Sequence, residues 1–543
     1  MRMSNLILLI IFSLTSVSFA GVNLKNGNFY IGYTDIVVPG GGHDLEITRT
    51  YNSYTTTKGW FGLGWGSPFE TKLSNSSDGS VVITENGSGA KTRFTPKKKI
   101  DPNAAAQKIV DAMRKQNDIS GVAEKNMLKR LAGDATLRQS WEAKLGLKTK
   151  LASGSVLYSN TRGLQELHKM ESGYKRVQND GKLQFFNNEG LLVKVKDKHG
   201  YTVSLDYQKG VLKSVKDSQA KQLFFDWYDT GLVKSIWSSG EKKAGYKYDS
   251  GGNLSYAKDV EGNSFQYEYN KSPSINKITY SDNSVMEISY VPKTYWVSSI
   301  ADRNGTKTNY KYEFNPNNKD NHYWTTVSKK GFDGKMVNNR YEYEIKKRPD
   351  GSSYTYRILT NVNGLETETV YSECCSLPLK IKRGKQVTTF DYNDKGLLVK
   401  KASTRGDYVE LKYHKKHNKI TRVVNNKGWT NFEYDKKGNL SKAVDNKGKS
   451  VLLIYDRSGR IKKMVDYSKK SKKKRTLAFK YNALGKPVEI VMEKVGKINV
   501  AYDNYGEIKK VESKSGHKMA LQVTQAFQSL LSIVKPAGVN LNM

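Results

Sequence analysis

The sequence predicts a mainly β fold: an array of β-hairpins curling into a partial shell or β-spiral, with a small helical insertion and a C-terminal helix. Three observations predict it. Tyrosine-centred turns recur about every 21 residues, the residues before each tyrosine alternate apolar and polar, and two stretches break this pattern with helical spacing. Composition agrees. Among 543 residues, 46 Gly and 34 Tyr favour turns and strands, while only 11 Pro and frequent aromatics speak against a disordered chain. Two cysteines cannot staple a chain this long, which excludes a disulfide scaffold.

The first element is a leader. Arg2 precedes an apolar run from Leu6 to Leu14 that is too short to span a bilayer, and Ser18 and Ala20 occupy the −3 and −1 positions of a cleavage after Ala20. Residues 1–20 therefore read as a Sec-type signal peptide, with an uncleaved anchor helix as the competing reading. No Cys follows the run to carry a lipid. No later stretch reaches the roughly 18 apolar residues of a membrane span. The mature chain is expected in the periplasm, at the cell surface or secreted, without a transmembrane span.

Residues 101–146 are the helical insertion. Asp101 and Pro102 give an N-cap followed by proline in the first turn, and Ile109, Val110 and Met113 follow at helical spacing. A second series runs Val122, Met127, Leu128, Leu131, Leu137 and Trp141, closed by Gly146. Two or three helices with a solvated outer face fit best; a partner-docking module is the alternative.

The array itself is centred on Tyr207, Tyr228, Tyr248, Tyr269 and Tyr290, then on Tyr392, Tyr413, Tyr434 and Tyr455, and then on Tyr481 and Tyr502 after one longer step. Clear copies read YDSGGNL from Tyr248, YDKKGNL from Tyr434 and YDRSGRI from Tyr455, where Asp and Gly supply turn chemistry. Two residues before each tyrosine stand apolar side chains such as Leu205, Phe432 and Leu453, with polar ones between. That is strand alternation, so each unit is one hairpin, and the hairpins must pair edge to edge because one alone is marginal. The longer step places extra residues in Ser468 to Arg475, read as a longer hairpin loop. Its Lys469, Lys470, Lys472, Lys473, Lys474 and Arg475 are a candidate anion-binding loop, against the plainer reading of a solvated tip.

Residues 513–543 form a tail in which Met519, Val523, Phe527, Leu530, Leu531 and Val534 share one helical face, while the opposite face is polar but uncharged. A cap over the last sheet edge is one reading, and a plug or partner-binding helix the other. Adjacent Cys374 and Cys375 are candidates for a vicinal disulfide. His414 and His417, in HKKH, lack carboxylate partners and carry two lysines between them, which disfavours a metal.

The YD-x-x-G-x-L copies resemble the repeats of the Rhs/YD-repeat family, which includes teneurins and the toxin-enclosing subunits of Tc toxins. The segment NGNFYIGYTDIVVPGGGHDLEITRTYNS and the following GWFGLGWGSPFETKL, with Asn52, Ser53 and Trp65, are similar to the domain that introduces the repeats in bacterial members. Arg162 to Leu192 is similar to the join that follows. The resemblance covers roughly residues 21–512 and implies a spiralling ribbon of strands forming a hollow shell. It implies the division 21–160 for an Rhs-type N-terminal β domain carrying the insertion, 161–512 for the YD-repeat array, and 513–543 for the helix and tail. After Tyr502 no Asp- and Gly-rich core, DPxG-like motif or toxin domain follows, so cargo processing is not implied.

No nucleophile motif, phosphate-cradling loop or zinc signature stands out. The expected function is that of an exported, non-enzymatic scaffold for binding or enclosure, with no catalytic residue, cofactor or metal, and with a protein cargo or envelope component as partner. Two alternatives stay open: an anion- or carbohydrate-binding surface module meeting anionic polysaccharide or lipid, and a component of a toxin-delivery system with its cargo on a separate chain. The net charge of +38 invites anions. Nucleic acid is disfavoured, because 72 of the 90 basic residues are Lys rather than the Arg that reads phosphates and bases bidentately.

Overall fold

Hydrogen-bond pairing carries the chain through one meander of 33 antiparallel strands, from Val156–Ser159 to Ile508–Glu512, each strand pairing with its sequence neighbours. The computed structural model describes residues 19–39, 44–76, 78–87, 89–97, 101–116, 119–147, 150–159, 163–198, 200–239, 243–331, 333–374, 376–482, 485–502 and 508–534. The leader read from residues 1–20 lies outside these apart from Phe19 and Ala20, which open the strand Phe19–Val22.

The tyrosines explain how hairpins of about 21 residues join into a continuous sheet. The hydroxyls of Tyr207, Tyr248, Tyr269, Tyr290 and Tyr312 donate to the carbonyls of Leu192, Val233, Leu254, Ile275 and Val297, at 2.7–3.1 Å. Those of Tyr392, Tyr413, Tyr434, Tyr455, Tyr481 and Tyr502 reach Pro378, Leu398, Ile420, Leu440, Ile461 and Pro487 in the same way. Each acceptor opens the strand one step back in the meander, so every tyrosine ties its repeat to the one before. A β-bulge directly before the tyrosine, as between Glu433 and Tyr434, shifts the register there. The Asp that follows accepts the backbone N–H four residues on, as from Asp435 to Asn439 at 2.8 Å, while Gly438 takes φ +84°.

One repeat position is corrected. The staple and the bulge in the second copy belong to Trp227, whose indole N–H donates to Leu212 O at 2.8 Å, and not to Tyr228, which bonds forward to Tyr246 O. The indole N–H replaces the phenol as donor, which a search for Tyr-Asp overlooks. The extra residues of Ser468 to Arg475 do not make a long loop either. They lengthen the strands Ile461–Ser468 and Lys473–Tyr481, with Lys473 and Lys474 paired to Ser468 and Tyr467, leaving only residues 469–472 as the turn. Between the two tyrosine series the sheet continues through longer strands, including His322–Lys330, Met336–Lys347 and Ser353–Val362.

The N-terminal block contains a four-stranded sheet, in which Phe29–Val38 pairs with Leu45–Asn52, and a three-stranded sheet from Lys72–Asn75 to Lys91–Phe94. Helices α1 (Pro102–Lys115), α2 (Gly121–Ala132) and α3 (Ala135–Lys144) follow, with Asp101 capping the N–H groups of Asn103 and Ala104. The helices bury Ile109, Val110, Met113 and Leu131 among themselves. They are not merely solvated. Buried Arg138 of α3 donates to Asp350 O, and Ala135 N donates to Gly351 O at 3.2 Å, docking α3 on an array turn. The long sheet starts before residue 161, because Val156–Ser159 pairs with Gln165–Met170, and Tyr158 also bridges to Thr95 of the N-terminal block.

The array curls around this block. Leu73 N donates to Gly190 O, Val233 N to Trp60 O, Val297 N to Gly27 O, and Thr325 Oγ1 to Leu24 O at 2.7 Å. Lys25 Nζ reaches Thr355 Oγ1 at 2.7 Å. From Leu192–Lys196 to Ser353–Val362 there are fifteen strands, hence fourteen spacings. Laid flat these would cover about 67 Å at ~4.8 Å each. A block of this chain length is only about 30 Å across. Contacts at both limits require a curled sheet. The approach is close at Gly190, where a Cβ would stand 2.0 Å from Leu73 O.

Helix α4 (Gly516–Val534) covers the same kind of face at the other end. Met519, Ala526 and Leu530 are buried with Leu411, Phe432, Leu453, Met464 and Leu477, and Val523 and Phe527 pack beside them. The side chains of Leu531 and Val534 lie outside the described residues. The helix packs across strands from Leu440–Asp445 to Gly496–Tyr502, so it lies on the sheet face and does not cap the last edge, Ile508–Glu512. No helix among the described residues is long and apolar enough to cross a membrane.

Candidate functional site

The inner face of the array is anchored to the N-terminal block by a buried charge pair. Strand Leu45–Asn52 alternates buried Leu45, Ile47, Arg49 and Tyr51 with more exposed residues, so period two delivers a guanidinium to the core. Asp35 is the extra residue of a bulge opposite it, between Thr34 and Ile36. Arg49 Nε donates to Asp35 Oδ2 at 2.6 Å, both side chains being 0% exposed. The pair also ties to the array: Arg49 Nη1 donates to Tyr267 Oη at 2.9 Å, and Tyr246 Oη donates to Asp35 Oδ2 at 2.9 Å. The rings of Tyr33 and Trp65 lie 4.7 Å from the guanidinium carbon.

Burial pushes the Asp35 carboxyl up, partly countered by Arg49 and Tyr246. Burial alone would push Arg49 down, but Asp35, Tyr267 and Tyr246 more than reverse it, and its pKa is raised. These directions oppose each other over whether the pair is ionised. The ionised pair is the consistent state, because a guanidinium does not give up its proton and would otherwise be an uncompensated buried charge. Such a site holds two parts of the chain together. Nearby, Glu70 accepts from Trp60 N at 2.6 Å and Ser67 N at 2.9 Å, and burial pushes its carboxyl up to about 8 against these two bonds.

Between the two hydrophobic clusters the inner face carries buried and half-buried side chains that still reach the N-terminal block. The cluster around the N-terminal block ends with Tyr310 packed against it, and the cluster under α4 begins at Leu398. The intervening strands place Tyr323, Thr325, Tyr341 and Tyr343 in matched register; Thr325 bonds Leu24 O, which identifies this as the inner face. The rings of Tyr323 and Tyr343 lie 5.6 Å apart. The opposite face of the same strands carries ion pairs. His322, Glu342 and Glu344 bring ligand atoms within 4.8 Å of one another. Arg340 and Arg357 already engage these carboxylates, at 2.8 Å to Glu342 and 2.6 Å to Glu344, which disfavours a cation there. Burial raises Glu342, but bonds from His322 and Arg340 outweigh it and hold its pKa down.

The sequence-predicted residues are placed as follows. Lys469, Lys470, Lys472, Lys473 and Lys474 are exposed at the hairpin tip. Arg475 is drawn away from them, donating to buried Asp466 at 2.7 Å and to Gln525 of α4 at 3.1 Å. Cys374 is disulfide-bonded, while its neighbour Cys375 lies outside the described residues. His414 and His417 stack at 4.8 Å. Asp35, Arg49, Tyr246 and Tyr267 were not singled out from sequence, although the alternation LEITRTY already places Arg49 on the buried face.

Residues 20–94 match a family model described as a domain of unknown function, DUF6531. A curated protein described as a tRNA3(Ser)-specific nuclease, WapA, of Bacillus spizizenii is 32% identical over 85 residues, 16% of this chain and 4% of that protein. The chain thus matches a small fraction of that relative's length. Among solved structures, a TcdB2–TccC3 complex overlaps 90% of this chain and 30% of its own, at 10% identity and a TM-score of 0.37. A Photorhabdus luminescens Tc holotoxin pore overlaps 89% and 29%, at 10% identity and a TM-score of 0.36.

Proposed function

We propose that this chain is an exported, non-enzymatic scaffold of the Rhs/YD-repeat type, whose curled sheet binds or encloses a protein partner in the cell envelope or outside the cell. The supporting observation is the curled, tyrosine-stapled sheet, which packs on the N-terminal block at one end and on α4 at the other. The N-terminal block fills one end and α4 the other, and half-buried Tyr323 and Tyr341 lie on the inner face between the two clusters. The DUF6531 match at the start and the tyrosine register support the family reading. The test is cross-linking in the host followed by affinity purification and electron microscopy. A curved particle retaining one protein, released by Tyr323→Asp with Tyr341→Asp, is expected. Extended flexible particles, or a partner held equally by the double variant, would count against it.

A second reading rests on the exposed lysine tip, which supports contact with an anionic polysaccharide or lipid surface. Replacing Lys469, Lys470, Lys472, Lys473 and Lys474 with Gln should then abolish salt-sensitive binding to such a polymer. Unchanged binding would remove this reading.

A further inference from the structure

One rim of the sheet carries a cationic ledge. Alternate connections of an antiparallel meander lie on the same rim, so the turns after Tyr392, Tyr413, Tyr434 and Tyr455 stand side by side, two strands apart. At ~4.8 Å per strand the ledge runs for about 29 Å. Lys395, Lys415, Lys416, Lys419, Lys436, Lys437 and Arg457 are all exposed on it. Against them stand Asp394 and Asp435, and the Asp435 carboxylate already accepts the N–H groups of Lys437 and Asn439 in its own turn, at 2.9 and 2.8 Å. Asp456 is paired with Arg460 at 2.7 Å. The turns after Tyr207, Tyr228, Tyr248, Tyr269 and Tyr290 carry only Lys209, Lys271 and Lys293, against Asp229 and Asp249. The charge therefore belongs to this rim of the second series and not to the repeat itself.

The cations are held in a row. Lys395 Nζ donates to Asn418 Oδ1 at 2.9 Å, Lys419 Nζ to Gly438 O at 2.6 Å and Lys437 Nζ to Arg457 O at 3.5 Å, each reaching the next turn. These acceptors are neutral, so the bonds fix position without cancelling charge. Exposed Lys198, from an earlier turn of the array, also approaches: burial and the Lys198 charge hold Lys419 below the usual lysine range. The patch is thus wider than a single row.

Cations spread along a rim do not converge on one small anion. Stacked bases would need open rings, but Tyr413, Tyr434 and Tyr455 are half-buried, with their hydroxyls tied to Leu398 O, Ile420 O and Leu440 O. Six of the seven cations are Lys, a point charge suited to a diffuse field rather than bidentate recognition. Among the described residues of these turns no large apolar side chain is exposed, so nothing here inserts into hydrocarbon.

We infer that this ledge docks the protein, peripherally and electrostatically, on an anionic phospholipid surface. The inference rests on the second reading above, narrows it to lipid headgroups, and moves the contact to the rim opposite the Lys469 tip. Turn tips along one rim meet a plane together, and each lysine near an anionic bilayer contributes about a fivefold factor in affinity.

The test is co-sedimentation of the full chain with vesicles of phosphatidylcholine alone and of phosphatidylcholine with phosphatidylglycerol. Binding to the anionic vesicles only is expected, released as salt rises from about 50 to about 500 mM. Lys415→Gln, Lys416→Gln, Lys436→Gln and Arg457→Gln together should weaken it about a hundredfold or more at an unchanged melting temperature, since these side chains are exposed. Lys469→Gln, Lys470→Gln and Lys472→Gln together, on the other rim, should weaken it less than about tenfold. Vesicle binding kept within about tenfold by the ledge variant, or lost with the tip variant instead, would overturn this inference and leave the second reading standing. Failure to bind anionic vesicles while an anionic polysaccharide is bound would do the same, and failure to bind either would remove both. Tighter retention by DNA than by the anionic vesicles would also overturn it.

Discussion

Arg49→Ala is the substitution that most severely perturbs the join between the N-terminal block and the array. It strips Asp35 of a 2.6 Å charge partner at 0% exposure and leaves the carboxylate with only Tyr246 at 2.9 Å. It also removes the cation between Tyr33 and Trp65, each 4.7 Å away, and the bond to Tyr267. Breaking a buried pair by deleting one partner costs about 3–5 kcal/mol, mostly the penalty of the charge left behind. The lost ring contacts add on the order of 1 kcal/mol. Removing both charges, with Asp35→Leu and Arg49→Met, should recover most of that loss, because replacing a buried pair by apolar groups is often neutral. Urea unfolding followed by tryptophan fluorescence reads the effect, since Trp65 sits within the site. A single variant shifted by less than about 1 kcal/mol would refute the reasoning. A double variant less stable than the single one would also refute it.

Other consequences are smaller and separable. Tyr434→Phe removes one hydroxyl bond, 2.7 Å to Ile420 O, and should cost about 1 kcal/mol, measured by urea midpoint, with Tyr413→Phe adding a similar amount. Glu70 has a carboxyl raised from 4.5 to about 8, so its acid form is favoured by folding. Its contribution is therefore greatest below pH 4.5 and is lost as pH rises towards 8, by at most roughly 5 kcal/mol and less to the extent that solvent reaches the side chain. Glu70→Gln should flatten that slope in pH-dependent unfolding relative to the unsubstituted protein; parallel curves would contradict the assignment. Met519→Asp places a charge where Met519 is fully buried and should detach α4, exposing the strands from Leu440–Asp445 onward to hydrogen exchange while those under the N-terminal block stay protected.

The repeat was legible because its chemistry is local. A turn-forming Asp, a Gly free to take positive φ and a tyrosine at fixed spacing recur within each unit; ten of the eleven tyrosines read from the sequence act as staples, and Tyr312 adds another. Trp227 was hidden because function there follows an N–H donor rather than a residue type. The lengthened hairpin at Lys473 was misread because extra residues can be shared between two strands as well as pooled in a loop. Period two placed Arg49 inside and Asp35 lies nearby in sequence, yet Tyr267 and Tyr246, which complete the pair's bonds, come from about two hundred positions away, and nothing local announces them.

That curl is the central claim, and a distance across it is the direct test. Spin labels at Glu189, beside the turn that meets Leu73, and at Ser353, where the array comes back to the N-terminal block, sit fourteen strand spacings apart. Pulsed electron paramagnetic resonance on the full chain should give a separation below about 45 Å if the sheet wraps a block roughly 30 Å wide. A separation near the ~67 Å of a flat array would contradict the account.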